Sequence, residues 1–210
     1  MPAVVKLGGS TASHQELAVW IEALAGASLS LVIVPGGGLF ADQVRDAQKR
    51  IGFSDDAAHV MALLAMEQFG QVILERHARF RPARTLEDMQ GALAEGKIPV
   101  WLPSSMLVTA PDIPATWDIT SDSLAAWLAG RLGATALLLI KQTDALSERD
   151  DVQGLTGRGI VDPCLATMLP SGINLYLAGP HHAAAAAQAL AAGTLPGTRI
   201  ESLVPAEKAG

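Results

Sequence analysis

Short apolar runs alternate with helix-periodic segments along the chain, and each kind predicts its own element. An apolar run bounded by glycine or proline is typical of a buried strand, whereas apolar residues at i, i+3, i+4 and i+7 indicate a helix. The pattern predicts strands at residues 3–7, 29–34, 98–102, 135–140, 173–177 and 198–203. Helices are expected between them, at residues 13–25, 38–51, 54–79, 85–95, 122–132 and 181–192.

Several of these strands are apolar on both faces, which indicates a mostly parallel sheet covered by helices on either side. No internal repeat and no linker interrupts the alternation. The sequence therefore predicts one α/β domain over residues 1–210, built as a three-layer α/β/α sandwich with a mostly parallel open sheet.

Three connections lack a clear period. Residues 103–117 form a long loop, a feature that in a compact domain is usually functional or serves as a lid. A polar loop is expected from Lys141 to Arg158. The basic stretch HARFRPAR, with Arg76 just before it, is expected to be the solvated end of the long helix and a loop.

Composition narrows the class of protein. Half of the residues are hydrophobic and 17% are charged, which excludes a disordered chain. The net charge of −6, with scattered basic residues, argues against a nucleic-acid or anionic-membrane binder. Cys164 is the single cysteine, so an internal disulfide or cysteine zinc site is excluded and a reducing cytoplasm fits. No signal peptide and no apolar run approaching ~20 residues is expected.

Candidate chemistry lies where the strands end, because open parallel sheets bind ligands at their carboxyl edge. Two predicted strands end in glycine-rich turns, Gly8-Gly9-Ser10 and Gly36-Gly37-Gly38. Consecutive glycines allow backbone N–H groups to approach phosphate oxygens, and a following helix N-terminus favours an anion. Lys6 lies inside an apolar strand, which is costly unless its ammonium meets an anion. These features predict a phosphate site.

Two further polar groups follow apolar elements downstream. Asp122 stands at a predicted helix start within WDITSDSLAAW, where Asp118 or Ser121 is a candidate cap. Lys141, Thr143 and Asp144 come directly after a buried strand. Two lysines with a carboxylate between them suit phosphoryl transfer, because the lysines neutralise the moving phosphoryl group and the aspartate keeps them charged and aimed.

Other nucleotide motifs fit less well. Gly96-Lys97 is followed by Ile98, so the P-loop pattern fails, and the motifs of protein kinases are absent. Gly36, Gly38 and Ala41 fit a weak dinucleotide fingerprint, which leaves a nicotinamide oxidoreductase as an alternative. In that alternative Lys6 would have no role.

Several segments in order resemble the amino acid kinase family, which includes acetylglutamate, aspartate, uridylate, carbamate and isopentenyl phosphate kinases. VVKLGGS and VPGGG resemble its two glycine loops, and TSDSLAA resembles the motif of its organising aspartate. LLLIKQTDAL resembles its nucleotide-side strand, and GTLPGTRI its closing strand. The resemblance covers nearly the whole chain and implies an acceptor over the N-terminal half and ATP over the C-terminal half.

The resemblance also implies a role for each matching residue. Lys6 would stabilise the transferred phosphoryl group, and Asp122 would orient Lys6 and a nucleotide-side lysine. Mg²⁺ would arrive with ATP, with few direct protein ligands. The phosphate path would be lined by the two turns, Gly8, Gly9, Ser10, Gly36, Gly37 and Gly38, and the nucleotide would be bound by Lys141, Thr143 and Asp144.

This sequence departs from the family pattern at one point. Many family members have a further lysine in the C-terminal half that contacts the ATP phosphates. After Lys141 this chain has only Lys208. Arg149 or Arg158 would substitute, or Lys141 would carry the role alone. A non-catalytic nucleotide- or anion-binding protein of the same fold is therefore an alternative to a kinase.

The acceptor is suggested by a second set of resemblances. His59 lies where phosphate-accepting members similar to isopentenyl phosphate kinase place a histidine on the acceptor phosphate. HVMALLAMEQFG and WDITSDSLAAWLAG look most like the small kinases of methanofuran and tetrahydromethanopterin biosynthesis. These phosphorylate the phosphate of (5-(aminomethyl)furan-3-yl)methyl phosphate to the diphosphate. Candidate partners for the ammonium of that acceptor are Asp42, Asp112 and Asp118.

Other acceptors remain alternatives, among them isopentenyl phosphate, UMP and an amino acid. In the family the helix that corresponds to residues 54–79 packs against its partner across a two-fold axis. The resemblance thus implies a homodimer or a higher homo-oligomer.

Overall fold

The computed structural model describes residues 1–201, and one mixed sheet forms the centre of that part. Its strand order is β3-β4-β2-β1-β5-β6-β7, and all neighbours are parallel except the antiparallel pair β6 and β7. The strands are β1 (Ala3–Leu7), β2 (Leu31–Pro35), β3 (Phe80–Ala83), β4 (Ile98–Trp101), β5 (Ala136–Ile140), β6 (Asn174–Ala178) and β7 (Thr198–Ile200).

Helices follow most strands and cover both faces of the sheet. A short 3₁₀ helix (Gly9–Ser13) lies between β1 and the first α-helix. The α-helices are α1 (Glu16–Ala25), α2 (Gly38–Ile51), α3 (Asp55–Leu74), α4 (Leu86–Ala94), α5 (Ser104–Leu107), α6 (Ser121–Leu132), α7 (Val152–Gly157), α8 (Leu165–Met168) and α9 (Pro180–Ala191). The predicted three-layer α/β/α sandwich with a mostly parallel open sheet is confirmed.

Two apolar clusters separate the layers, and strand alternation divides the residues between them. One cluster packs Val4 of β1 and Leu139 of β5 against α6. The other packs Val5 and Ile140 against α1 and α9. Lys6 has the same parity as Val4, so it extends from the sheet on the side of α6.

The basic stretch differs from the prediction. Helix α3 ends at Leu74, and β3 follows as a four-residue edge strand that pairs with β4. Phe80 and Ala83 are buried, whereas Arg81 between them is half-buried and Pro82 is exposed. A polar, proline-containing edge strand lacks an apolar run, because only one side of it pairs and few of its residues enter the core.

Two predicted loops also contain structure. Helix α7 lies within residues 141–158 and begins where the Asp151 side chain accepts a hydrogen bond from Gly154 N. The single turn of α5 lies within residues 103–117. The last predicted strand, at residues 198–203, forms β7 over Thr198–Ile200, and its positions 202 and 203 lie outside the described residues. Lys208 also lies outside them.

Helix α3 is the one membrane-span candidate within residues 1–201, with a mean hydropathy of 1.3 over 18 residues. Helix α3 is therefore an exception to the expectation that no apolar segment approaches the ~20 residues of a membrane span. Its inner residues Leu63, Phe69 and Ile73 are buried against the sheet. A core helix meets the same criterion of length and composition, so hydropathy alone is weak evidence for a membrane span.

Candidate active site

A buried aspartate bridges two lysines at the carboxyl edge of the sheet. Lys6 Nζ lies 2.9 Å from Asp122 Oδ1, and Lys141 Nζ donates a 2.6 Å hydrogen bond to Asp122 Oδ2. The Lys6 contact has the distance of an ion pair but lacks hydrogen-bond alignment, so Oδ1 has no hydrogen-bond partner among residues 1–201. Asp122 is almost fully buried, whereas 17% of the Lys141 side chain is exposed. The predicted charged residues therefore form one ion triad.

The sheet register brings these residues together. Lys6 is paired with Leu139 in the parallel ladder between β1 and β5, so Lys141 lies two positions farther along the neighbouring strand. Both lysines have the parity that faces α6. Asp122 lies in the first turn of α6, whose N-cap Thr120 accepts a hydrogen bond from Asp122 N. The triad thus joins two adjacent strand ends to one helix start.

Burial and charge oppose each other in this triad. Burial lowers the pKa of Lys6 to about 8, with Lys141 acting in the same direction and Asp122 acting against it. Burial by itself would raise the pKa of Asp122, but the two ammonium groups outweigh it and lower that pKa below its usual value. Asp122 is therefore a stable anion, and Lys6 can lose its proton near pH 8.

A cavity of about 250 Å³ opens beside Lys6. Its walls come from the two glycine turns, from α2 and α3, and from residues 116–124. Lys6, Ser10 and His59 all line it, whereas Lys141 does not. The cavity therefore lies on the N-terminal side of the ion triad, which is the side of the predicted acceptor.

The two glycine turns pack backbone against backbone. A Cβ on Gly9 would lie 2.0 Å from Gly38 N, and one on Gly36 would lie 2.2 Å from Gly9 N. Gly38 has a φ of +51°, which also favours glycine. These glycines are thus required by packing between the turns as well as by any approach to phosphate.

Some N–H groups of the two glycine turns donate hydrogen bonds within the protein, whereas other residues of the turns line the cavity. Gly8 N donates to Ile140 O, and Gly36 N donates to Leu7 O. Gly9, Gly37 and Gly38 line the cavity, and Gly38 begins α2. Because the first N–H groups of a helix lack intrahelical partners, this end of the cavity suits an anion.

The far wall of the cavity is held by one bridging side chain. Gln48 Oε1 accepts a 2.7 Å hydrogen bond from Trp117 Nε1, and Gln48 Nε2 donates a 2.8 Å bond to Asp55 Oδ1. The Arg45 guanidinium stacks over the Trp117 ring at 4.4 Å. The end of the 103–117 loop is thereby attached to α2 beside the cavity.

Polar side chains with unused capacity face this space. His59 lines it, and its buried Nε2 has no hydrogen-bond partner within residues 1–201. Burial lowers the pKa of His59 despite the nearby Asp56. Asp42 and Asp55 also line the cavity, and one oxygen of each is already used: Asp42 Oδ1 lies 3.3 Å from the Arg45 guanidinium, and Asp55 Oδ1 accepts the hydrogen bond from Gln48.

The other two candidate carboxylates lie elsewhere. Asp112 Oδ2 accepts hydrogen bonds from Trp127 Nε1 and from Arg131 at the surface. Asp118 is exposed and is not among the residues that line the cavity. Of the three carboxylates predicted to contact the acceptor ammonium, only Asp42 lines the cavity. Asp55, which belongs to no predicted motif, lines it as well.

On the nucleotide side, most predicted residues make internal contacts. Asp144 accepts a hydrogen bond from His181 N at the start of α9, and its other oxygen lies 2.9 Å from His181 Nδ1. Thr143 Oγ1 accepts from Ala145 N, and a Cβ on Gly179 would lie 2.0 Å from Thr143 O. The 141–144 turn is therefore packed onto the start of α9.

The two candidate arginines differ. Arg158 pairs with Asp150 at 2.7 Å and donates to Ala145 O, so it ties the polar loop together. No ion pair of Arg149 is formed within the described part of the chain. No cluster of three or more His, Cys, Asp or Glu residues suited to a metal occurs among residues 1–201.

The sequence patterns do not indicate a functional role for three residues of this region. Trp117 ends the 103–117 segment, which has no clear period, and Asp55 is the second residue of the helix predicted at 54–79. Asp162 lies in a short segment between two weakly periodic elements, yet it is buried beside the start of α6. None of the three belongs to a glycine turn or a strand end, the signals that located the other residues.

Known proteins similar to this chain are kinases. [5-(Aminomethyl)furan-3-yl]methyl phosphate kinase from Methanocaldococcus jannaschii is 28% identical over 164 residues, which cover 72% of this chain and 74% of that protein. No protein-family model matches the chain.

Solved structures extend the similarity to the fold. Uridylate kinase from Archaeoglobus fulgidus superposes with a TM-score of 0.68 at 17% identity, covering 96% of this chain and all of that one. An isopentenyl phosphate kinase superposes with a TM-score of 0.58 at 18% identity, again covering 96% of this chain and all of its own. The chain therefore has the fold of these small-molecule kinases, and its resemblance to the amino acid kinase family is confirmed.

Proposed function

We propose that the protein is an ATP-dependent kinase that phosphorylates the phosphate group of a small molecule. The observation that carries the proposal is the Lys6–Asp122–Lys141 triad, which places two ammonium groups around one buried carboxylate next to a cavity. Phosphoryl transfer requires positive charge on both sides of the moving group and little else from the protein. A buried triad at the carboxyl edge of the sheet supplies that charge.

Each member of the triad has its own role in this proposal. Lys6 faces the cavity and stabilises the transferred phosphoryl group. Lys141, which is more exposed, binds the phosphates of the nucleotide from the other side. Asp122 keeps both ammonium groups charged and aimed, because each of its oxygens faces one of them. The acceptor thus occupies the N-terminal half and the nucleotide the C-terminal half of a single domain.

The reaction is a direct displacement. An oxygen of the acceptor phosphate attacks the γ-phosphorus of ATP, the bond from that phosphorus to the β,γ-bridging oxygen breaks, and ADP leaves with the bonding electrons. A phosphate oxygen at neutral pH is already anionic, so no general base is needed. Mg²⁺ arrives with the triphosphate and neutralises part of its charge.

The acceptor phosphate is bound at the start of α2. Gly9, Gly37 and Gly38 line this end of the cavity, together with Ser10 and His59. Backbone N–H groups at a helix start bind phosphate without a side chain, and a histidine can donate a further hydrogen bond. This arrangement directs an acceptor oxygen toward Lys6.

The remainder of the cavity fits [5-(aminomethyl)furan-3-yl]methyl phosphate, the substrate named for the relative from Methanocaldococcus jannaschii. A volume of about 250 Å³ lies just below the roughly 300–1,000 Å³ usual for drug-sized ligands, so a single small ring is favoured. The Trp117 ring offers an aromatic wall, and the carboxylates of Asp42 and Asp55 suit an ammonium group. The product is the diphosphate ester, whose whole diphosphate group is a good leaving group from carbon.

A ³¹P NMR time course tests this function. Mg-ATP and the protein are mixed in turn with the aminomethylfuran phosphate, isopentenyl phosphate, UMP, acetylglutamate, aspartate and carbamate. We expect diphosphate resonances with the furan phosphate, and their absence with Lys6→Met. The matched control is Lys49→Met, an exposed lysine whose neighbour is Asp46 at 3.6 Å, and this variant keeps full activity.

Other results would change the proposal in defined ways. Turnover with isopentenyl phosphate, UMP or a carboxylate would retain the kinase and replace the acceptor. ATP binding without turnover on any acceptor would favour the non-catalytic binding protein. NAD(H) binding would favour the oxidoreductase, although the observed strand order differs from the 3-2-1-4-5-6 order of dinucleotide-binding sheets.

We also propose that the protein works in the cytoplasm as a homodimer or larger homo-oligomer. Helix α3 supports this, because Met61 and Leu64 are 39% and 45% exposed on its outer face. Covering such apolar surface with a second copy removes it from water. Light scattering of the native protein and of Leu64→Glu tests the assembly, since a charge at the interface shifts the mass toward one chain. An unchanged mass in the variant would place the interface elsewhere.

A further inference from the structure

A carboxylate outside the ion triad clamps the helix start that carries it. Asp162 lies between α7 and α8 and is only 6% exposed. Its Oδ2 accepts hydrogen bonds from Thr120 N at 2.9 Å, Thr120 Oγ1 at 2.8 Å and Ser123 N at 3.1 Å. Its Oδ1 accepts from Cys164 N at 3.1 Å and from the Ser123 hydroxyl. Five donors therefore converge on one side chain.

The bonded residues flank Asp122 in the chain. Thr120 is the N-cap of α6, and Ser123 follows Asp122 directly. Asp122 directs its carboxylate to the two lysines, while Thr120, two residues before it, and Ser123, directly after it, donate hydrogen bonds to Asp162. A shift of this turn would move the Asp122 oxygens relative to Lys6 and Lys141.

Ordinary helix caps in this chain look different. Asp88 caps α4 within its own turn, accepting from Arg84 N and Thr85 N at the surface. Asp151 accepts a single bond from Gly154 N, three residues away. Asp162 instead reaches across 42 residues of sequence to Thr120 and is buried. Burying a carboxylate is costly, and it pairs with no lysine or arginine in the described part of the chain.

From these contacts we propose that Asp162 is a positioning residue, which holds the first turn of α6 so that Asp122 contacts both lysines. The effect on turnover rests on the proposed kinase function, whereas the effect on Lys6 does not. The negative charge of Asp162 also favours the protonated form of Lys6, in the same direction as Asp122. Loss of Asp162 thus lowers the pKa of Lys6 in two ways, by removing a negative charge and by releasing the turn that carries Asp122.

The test measures Lys6 directly by NMR in Asp162→Asn. Lysine carrying carbon-13 at Cε introduces few signals, since the sequence has lysines only at 6, 49, 97, 141 and 208. The signal that disappears in Lys6→Met belongs to Lys6. We expect its titration midpoint to lie near pH 8 in the native protein and at lower pH in Asp162→Asn, with an unchanged midpoint in the control Asp88→Asn.

Kinetics supply the second readout. For Asp162→Asn we expect kcat to fall about tenfold or more, as is typical when a group that orients a catalytic residue is removed. The KM for the acceptor changes far less, because Asp162 does not line the cavity. The alkaline limb of the kcat profile moves to lower pH with the Lys6 midpoint. Asp88→Asn lowers stability slightly and leaves kcat unchanged.

The outcomes separate the two proposals. A folded Asp162→Asn with native Lys6 titration and native kcat would overturn the positioning role. A shifted Lys6 titration in a protein without kinase activity would retain the positioning role and reject the kinase. If Asp162→Asn does not fold, Ser123→Ala replaces it, because this change removes one donor and keeps the charge. A smaller shift of the same sign is then expected, and no shift would overturn the role.

Discussion

The two halves of the carboxyl edge use similar residues in opposite ways. On the N-terminal side, Lys6, Ser10 and His59 face a cavity, and the Nε2 atom of His59 has no hydrogen-bond partner in residues 1–201. On the C-terminal side, Asp144 binds the start of α9, and Arg158 binds Asp150. The first half contains a cavity beside Lys6, although one oxygen each of Asp42 and Asp55 is paired there, whereas Asp144 and Arg158 in the second half are engaged in internal contacts.

This difference shows where ligand recognition has to come from. A pocket that is already shaped needs little rearrangement to bind its ligand. The C-terminal half offers the partly exposed Lys141 ammonium, while Asp144 and Arg158 nearby already have partners within the chain. We therefore expect the acceptor to be recognised by side chains and the nucleotide mainly by Lys141 and backbone groups.

The largest expected effect is that of Lys6→Met. The cavity loses the charge that stabilises the moving phosphoryl group, so kcat falls by about 10³. Asp122 retains Lys141, so we expect the free energy of unfolding to fall by less than the ~3–5 kcal/mol typical of breaking a buried ion pair. Steady-state kinetics and urea unfolding measure the two quantities. A comparable loss in Lys49→Met would contradict a specific role for Lys6.

The pH dependence comes next. Only the charged Lys6 can stabilise the phosphoryl group, and its pKa of about 8 lies well below that of a free lysine. Because kcat/KM reports the ionisation of the free enzyme, kcat/KM is constant below this pKa and declines as the pH rises through about 8. A pH series at subsaturating Mg-ATP measures it. A kcat/KM that stays level to pH 10 would contradict a requirement for the charged Lys6.

Asp42→Asn sharpens the picture of the open half. The Asp42 side chain lines the cavity and is 66% exposed, so we expect an ion pair with the acceptor ammonium to contribute about 1 kcal/mol to binding. Its loss in Asp42→Asn should raise the KM for the acceptor roughly fivefold. The same variant shows no change with an acceptor that carries methyl in place of aminomethyl. Asp112→Asn is the matched control, since Asp112 binds Arg131 away from the cavity. Equal effects on both acceptors would exclude the ammonium contact.

The smallest effect is expected for Arg158→Ala. Arg158 is paired with Asp150 and bonded to Ala145 O, so we expect the KM for ATP to rise less than about twofold. Lys141→Met is the contrast and raises that KM much more. A large effect of Arg158→Ala would show that the polar loop opens when the nucleotide binds, and the two halves would then differ less than their contacts indicate.

Much of the site follows from local sequence patterns. The parts that could not be predicted from the sequence have one physical cause in common. Lys6 and Lys141 each stand out because a charge at or beside an apolar strand is unusual. Asp162 does not stand out, because its partners in α6 and at the α6 N-cap are 39 to 42 residues away and its own segment has no clear period. The edge strand β3 was missed for a similar reason, since a strand paired on one side buries only Phe80 and Ala83.

The sequence by itself determined the alternation of strands and helices and the positions of the glycine turns. These are local properties, set by hydrophobic period and by the two-residue repeat of a strand. Tertiary structure alone decided that β1 and β5 are neighbours, that Asp122 meets both lysines and that Asp162 clamps α6. It also decided that Asp144 and Arg158 are used internally, because such pairings depend on which distant segments pack together.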